Sequence, residues 1–160
     1  MIAGFRQFLS DLAGGRAPER FSESDHRLAA AALLYHAVAI DGAVSDAERQ
    51  KLRDMLSRRF TLDPAATDAL MAAAQEAEGE AVDLYGFTSV LKRELEEADR
   101  ERIVEMMWEL VFADGELHEF EDNLIWRVAE LLGISSQTRL RLKQSVRGAG
   151  AAETERPKQP

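Results

Sequence analysis

Two Asp-Gly dipeptides, each followed by a glutamate, form a repeated pattern, and its four acids are the residues of this sequence best suited to bind a metal ion. Each copy reads Asp-Gly-x-apolar-x-x-x-Glu, with Asp41 and Glu48 in the first copy and Asp114 and Glu121 in the second. This spacing matches the second half of a calcium-binding EF-hand loop. The first half of such a loop is missing, because apolar residues occupy both positions where further side-chain oxygens would be needed.

A single loop of this kind cannot hold a hard cation alone, since Ca²⁺ takes six or more oxygen ligands. Two converging loops would supply the four carboxylates of Asp41, Glu48, Asp114 and Glu121, and further acids at 46, 116 and 119 lie close by in the sequence. The pattern therefore predicts a divalent-cation site, for calcium or magnesium, between the two loops.

Helix capping is the alternative explanation of the same acids. Ser45 followed by Glu48 is a capping box, and Asp-Gly is a common helix-ending dipeptide. The second loop fits this explanation less well, because His118 stands where the first has Ser45 and histidine is a poor cap. This difference favours a ligand role for Glu121, or for His118 itself.

The periodicity of apolar residues is helical almost throughout and predicts an all-α fold of about eight helices. The first is an N-terminal helix with the stripe Ile2, Phe5, Leu9 and Leu12. Expected helix starts carry a capping residue or proline, and expected stops carry glycine. The starts are Ser24, Ser45, Asp63, Asp99 and Ser135 or Ser136, and the stops are Gly15, Gly42, Gly115 and Gly133.

The two Asp-Gly loops belong to an internal repeat. Shifting the sequence by 73 positions places Asp41 on Asp114, Glu48 on Glu121 and Leu52 on Ile125. The repeat predicts two three-helix units, about 30–71 and 103–144, joined by an acidic connector. Such units would pack around a pseudo-twofold axis, which would bring the loops together if it passes near them.

Composition excludes several classes of function. The net charge of −9 argues against a nucleic-acid surface and against anionic lipid, and the sequence has no cysteine for disulfides, zinc ribbons or thiol catalysis. No apolar run is long enough for a membrane span, and the N-terminus does not read as a secretory signal. We therefore expect a cytoplasmic protein.

Two histidines have acidic residues at suggestive positions. Glu23 and His26 have the spacing of a di-iron ligand pair, but no second such pair exists, so a helix-start acid beside an exposed histidine is the better interpretation. His36 and Glu109 fall at equivalent repeat positions and are predicted to meet as a hydrogen-bonded core pair. No nucleophile or oxyanion donor accompanies His36 and Glu109 in the sequence, which favours this structural role over catalysis.

These features together resemble the TerB-like family, named for a tellurite-resistance protein. The resemblance covers about residues 25–145 and is most specific in the segment FADGELHEFEDNLIWRVAELLGIS. It implies a compact, internally duplicated helical domain with an acidic metal site at the Asp-Gly loops, carried here by Asp41, Glu48, Asp114 and Glu121, and no established catalytic activity. The first loop departs from the family pattern, because Ala43 and Val44 stand where an extra acid would help.

The resulting domain prediction has three parts: an N-terminal helix and linker at 1–24, a TerB-like domain at 25–146 and a disordered tail at 147–160. We expect a non-enzymatic module that binds a divalent cation and acts through protein partners in a stress or envelope response. A metal-free interaction scaffold is the alternative, and a metal-assisted hydrolase ranks third.

Overall fold

The structure is a computed structural model that describes residues 21–22, 25–40, 42, 44–80, 84–114 and 119–154. The described chain forms seven α-helices and one 3₁₀ turn (Phe112–Asp114), and it contains no strand. The helices are α1 (His26–Ala39), α2 (Asp46–Phe60), α3 (Pro64–Glu80), α4 (Leu84–Glu94), α5 (Glu97–Val111), α6 (Glu119–Leu131) and α7 (Ser136–Thr154). The all-α prediction is confirmed, and the predicted N-terminal helix lies outside the described residues.

Helix α1 is the centre of the fold, as its apolar sequence predicts. Ten of its residues are buried, and it packs against α2, α3, α4, α5 and α6. Alanines fill much of its surface, which allows neighbouring helices to approach closely. The second large contribution to the core comes from α5, where Trp108 is fully buried.

The predicted starts of α2, α3 and α7 are confirmed by their capping hydrogen bonds. Ser45 Oγ accepts from the Glu48 backbone N–H at 3.1 Å, and Asp63 Oδ1 accepts from the Ala66 N–H at 2.7 Å. Ser135 Oγ accepts from the Thr138 N–H at 3.2 Å in the same way. Each bond satisfies one backbone donor that the first helical turn leaves without a partner.

Two predicted starts are wrong by one to three residues. The cap of α1 is Asp25 rather than Ser24, and its carboxylate accepts from the Arg27 N–H at 2.9 Å. Helix α5 begins at Glu97, after Glu96, because Glu97 and Ala98 are strong helix formers that extend the helix ahead of Asp99. Asp99 instead accepts a hydrogen bond from Arg59 Nη2 at 2.9 Å.

The two predicted units each contain three helices in the same order, α1–α3 and α5–α7. In both units the first helix packs against the third, and the first helices also pack against each other. The contacts of α1 with α6 and of α2 with α5 are the pair that a twofold axis would exchange. This pattern is the one expected of a pseudo-twofold arrangement, and the axis itself stays a prediction.

The C-terminal helix is longer than the sequence suggests. Helix α7 continues to Thr154, so the first part of the segment predicted as a disordered tail is helical. The alanines at 149, 151 and 152 have high helix propensity, which offsets the glycines between them. Across the described residues, no helix combines the length and the apolar character that a membrane crossing requires.

Candidate functional site

The first Asp-Gly loop is a sharp turn at the end of α1. Ile40, the C-cap of α1, has helical dihedral angles, and the Gly42 N–H donates to the Ala39 carbonyl at 3.0 Å. Gly42 has a φ of +100°, a conformation that residues with a side chain rarely adopt. The glycine is therefore required by the turn. Asp41, the predicted ligand beside it, lies outside the described residues.

Glu48 lies in the first turn of α2 and is held by the helix cap. Ser45 Oγ donates to Glu48 Oε1 at 2.9 Å and accepts from the Glu48 N–H. The predicted capping box is thus present in altered form, because the carboxylate accepts from the serine hydroxyl rather than from the serine backbone. Glu48 is half-buried and precedes the fully buried Leu52 by one helical turn.

Glu121 occupies the equivalent position in α6 and is more deeply buried. Its exposed fraction is 7%, the lowest of any described acidic residue. It lies on the same helix face as Leu124, Ile125 and Val128, which form the buried stripe of α6. A carboxylate in this position requires hydrogen bonds, a cation or a proton to offset its lost hydration.

The second Asp-Gly loop follows the 3₁₀ turn at the end of α5. That turn ends at Asp114, whose side chain lies outside the described part of the structure, as do Gly115, His118 and the residues between them. Among the described side chains, no three histidine or acidic residues are close enough together to hold a metal ion. The four-carboxylate site therefore stays a prediction, with Glu48 and Glu121 placed at the helix starts that the sequence indicates.

An aromatic and ionic cluster joins the end of α5, the start of α6 and α7. Trp108 stacks on Phe112 with ring centroids 5.6 Å apart, and the Lys143 ammonium lies 5.2 Å from the Trp108 ring. Lys143 also forms an ion pair with Asp122, the neighbour of Glu121, at 2.8 Å. Helix α7 is thereby tied both to the residues before the loop and to the helix after it. Sequence spacing gives no sign of this cluster, because 21 residues separate Asp122 from Lys143.

The predicted contact between His36 and Glu109 is wrong. His36 Nδ1 lies 3.1 Å from Glu78 Oε1, near the end of α3, while Glu109 accepts from Arg102 Nη1 at 2.8 Å on its own helix. The reason is that α1 packs closely along α3, so the His36 side chain reaches a neighbour within its own unit.

Burial alone would lower the pKa of Arg102, but its bonds to Glu109 and Glu105 outweigh that effect and raise the pKa above its ordinary value.

Comparison with known proteins gives one match. The profile of the family described as tellurite resistance protein TerB matches residues 27–144. No curated protein and no solved structure gives a significant match. The matched region begins one residue after the start of α1 and ends within α7, so it contains both Asp-Gly dipeptides and the starts of the other six described helices.

Proposed function

Because the chain belongs to the TerB family, we propose that it is a non-enzymatic module that binds a divalent cation between its two Asp-Gly loops. The ligands are the carboxylates of Asp41, Glu48, Asp114 and Glu121, and the ion is calcium or magnesium. The observation that carries the proposal is the burial of Glu121, at 7% exposure, on the apolar face of α6.

The position of Glu121 supports a ligand role for a physical reason. Glu121 is directed to the buried side of its helix, where a carboxylate needs hydrogen bonds or a cation to offset its lost hydration. Glu48 takes the same place one turn ahead of Leu52, as Glu121 does ahead of Ile125. Four such carboxylates in proximity would repel one another, and a divalent cation would relieve that repulsion.

The proposal includes no catalytic step. The sequence has no cysteine, no glycine-rich phosphate loop and no His-Glu-x-x-His motif, so it lacks a thiol nucleophile, a phosphate-binding loop of that kind and that set of metalloprotease ligands. The module acts instead through protein partners in a stress or envelope response, in line with the tellurite resistance for which the family is described. Phe120, directly before Glu121, is 72% exposed and gives a partner an apolar contact beside the proposed site.

Thermal unfolding tests the cation site. The chain is unfolded in EDTA and then with millimolar calcium, magnesium or manganese, since a ligand of the folded state stabilises by RT ln(1 + [L]/Kd). At an ion concentration of 100 Kd this amounts to about 2.7 kcal/mol. We expect an ion-selective rise in Tm that Glu121→Gln abolishes, whereas the matched control Glu130→Gln, an exposed acid on the same helix, leaves it unchanged. An unaltered calcium response in Glu121→Gln would contradict the assignment.

A metal-free interaction scaffold is the second candidate, and the hydrogen bonds of Glu48 favour it. Both the backbone and the carboxylate of Glu48 are engaged with Ser45, which explains this acid without a metal. On this alternative no ion raises the Tm of the wild-type chain, and Glu48→Gln costs at most about 1 kcal/mol through the weakened cap.

A further inference from the structure

The side of α4 that faces away from the core is partly covered. Thr88 and Leu91 are the buried residues of this helix, and they define its core side. Four residues at helical spacing lie on the opposite side, which we call the outward face: Gly86, Ser89, Val90 and Arg93. The first three of them are half-buried, and only Arg93 is exposed.

Other helices show how exposed small residues are on a side that nothing covers. Gly79 on α3, and Ser145 and Gly148 on α7, are all exposed. A Cβ added at Gly79 or at Gly148 would meet no atom within 4 Å. Gly86 and Ser89 are residues of the same types, so their lower exposure indicates that another part of the chain lies over them.

The helices that pack against α4 do not account for this cover. Its main neighbours in the described part of the chain are α1, on the core side, and α6. Helix α6 lies on the Lys92 side, because a Cβ added at Gly133 would be 3.7 Å from Lys92 Cε. Tyr85 lies on that same side two turns earlier and is 72% exposed, so α6 does not extend round to the outward face.

The N-terminal segment is the part of the chain best suited to cover this face. Each of the internal stretches outside the described residues has four residues or fewer, and the only apolar side chains of residues 155–160 are prolines. Residues 1–20 are longer and carry an apolar stripe at helical spacing, formed by Ile2, Phe5, Leu9 and Leu12. Such a stripe favours burial of one side of a helix against another element.

The N-terminal segment is attached close enough to α4 to reach it. His36, near the end of α1, contacts Glu78, near the end of α3, and only three residues join α3 to α4. Helix α4 therefore starts beside the end of α1 and runs back along it towards Phe21, which lies under the Arg27 guanidinium at 4.5 Å. The eight residues between Leu12 and Phe21 span up to about 25 to 30 Å when extended, which exceeds the length of α4.

We propose that residues 2–12 pack as an amphipathic helix on the outward face of α4. The two elements match in length, since each has 11 residues, or about 16 Å of helix. Gly86 and Ser89 leave a shallow depression in the surface of α4, into which the large side chains of Phe5 and Leu9 fit.

This contact adds to the TerB domain an element from outside the matched region, which begins at residue 27. It assigns the apolar N-terminal stripe to the chain's own fold rather than to a membrane or a partner, and it withholds the outward face of α4 from other proteins. The inference depends neither on the cation nor on the proposed action through protein partners, so it can fail or hold independently of both.

Thiol labelling in the full chain tests the contact, because the sequence has no cysteine and an introduced thiol is unique. We expect Ser89→Cys to react with a maleimide slowly, and at least about tenfold faster once Phe5→Asp and Leu9→Asp remove the apolar stripe. The matched control, Gln7→Asp with Ser10→Asp, makes the same charge change on the other side of the segment and should leave the rate unchanged. Gln144→Cys, at an exposed position on α7, should react rapidly in every background.

Cross-linking distinguishes the chain's own segment from a second copy. A chain with Ala13→Cys and Ser89→Cys is treated with a short bismaleimide, and we expect a cross-linked monomer whose yield falls when the apolar stripe is removed. Circular dichroism and Tm check that each variant is folded.

Four results would overturn the proposal. They are a labelling rate of Ser89→Cys as high as that of Gln144→Cys in the otherwise unchanged chain, equal acceleration in the stripe and control variants, cross-linked dimers in place of monomers, and rapid labelling of Ser89→Cys as soon as phosphatidylglycerol vesicles are added. The third result would assign the outward face to a second copy, and the fourth would assign the N-terminal stripe to a lipid surface.

Discussion

The two three-helix units place equivalent acids in different surroundings. In the first unit Glu48 is half-buried and bonded to the capping serine, whereas in the second unit Glu121 is buried to 7% exposure in a helix whose predicted start has His118 in place of that serine. The first acid thus belongs to a helix cap, whereas the second lies on the buried face of its helix. This asymmetry indicates that the second loop is the better place to test for a ligand role.

The units also differ in how their middle helices end. Helix α2 ends at Thr61 with a φ of +52°, and α6 ends with Gly133 at +76°. In the second unit the N–H of Ile134 bonds to the Ala129 carbonyl and that of Gly133 to the Glu130 carbonyl, which is a Schellman motif. The first unit makes the same left-handed turn with a β-branched residue, so it holds backbone strain that the second unit avoids.

The largest loss of stability is expected at the core position that the two units share. Leu52 and Ile125 are both fully buried one turn after the equivalent acids. Replacing either by alanine should destabilise the chain by about 3 kcal/mol, because the lost apolar contacts leave a cavity. Urea unfolding measures the change. Similar losses in a single transition would indicate one cooperative core, whereas a near-neutral Leu52→Ala would mean that the first unit contributes little to it.

Smaller changes in stability are expected at the two left-handed turns, and they should have opposite signs in the two units. Gly133→Ala should lower the free energy of unfolding by about 1 kcal/mol, because alanine is strained at this positive φ. Packing should add little to this loss, because the added Cβ would lie 3.5 Å from Arg100 Nη1, which is an ordinary contact. Thr61→Gly should stabilise the chain by about 0.5 to 1 kcal/mol, because it removes the same strain. Thermal unfolding compares the two variants.

Thr61→Asn is the control for the first unit, because asparagine tolerates the left-handed conformation while keeping a side chain. It should give part of the gain seen with glycine. Destabilisation by Thr61→Gly would show that the threonine side chain contributes more than its backbone strain costs, and the comparison of the turns would then fail.

Local chemistry made most of the helices predictable from the sequence. Ser45, Asp63 and Ser135 stand at observed caps, and Gly42 and Gly133 stand at positive φ, because each of these positions imposes a backbone requirement that few residue types meet. The all-α class follows from the helical periodicity in the same way. Boundaries without a specific chemical requirement, such as the start of α5, were misplaced.

Contacts between distant elements could not be predicted in this way. The pairing of His36 with Glu78 depends on how α1 lies along α3, and the cluster of Lys143, Asp122 and Trp108 depends on where α7 crosses α5 and α6. Helical spacing defines which residues share a face, but not which face of another helix they meet. The burial of Glu121 could have been inferred from its place on the stripe with Ile125 and Val128.

The smallest predicted change in stability concerns the caps of α1 and α5, the first helices of the two units, and it depends on pH. Burial raises the pKa of Asp25, but the hydrogen bonds from the Arg27 side chain and backbone outweigh that effect and hold the pKa below its ordinary value. The folded state therefore favours the ionised form. This stabilisation is present above pH about 4 and is lost as pH falls through the lowered pKa.

In the second unit Glu96 caps α5 without a side-chain hydrogen bond. We expect Asp25→Asn to reduce the free energy of unfolding at pH 6 by on the order of 0.5 kcal/mol, since a single ion pair at the protein surface contributes little, and by less at pH 3. Glu96→Gln at pH 6 should match the wild type, because this cap has no side-chain hydrogen bond to lose. Urea midpoints at the two pH values measure the difference, and an equal loss for Asp25→Asn at pH 3 and pH 6 would show that its cap contributes through hydrogen-bond geometry and not through charge.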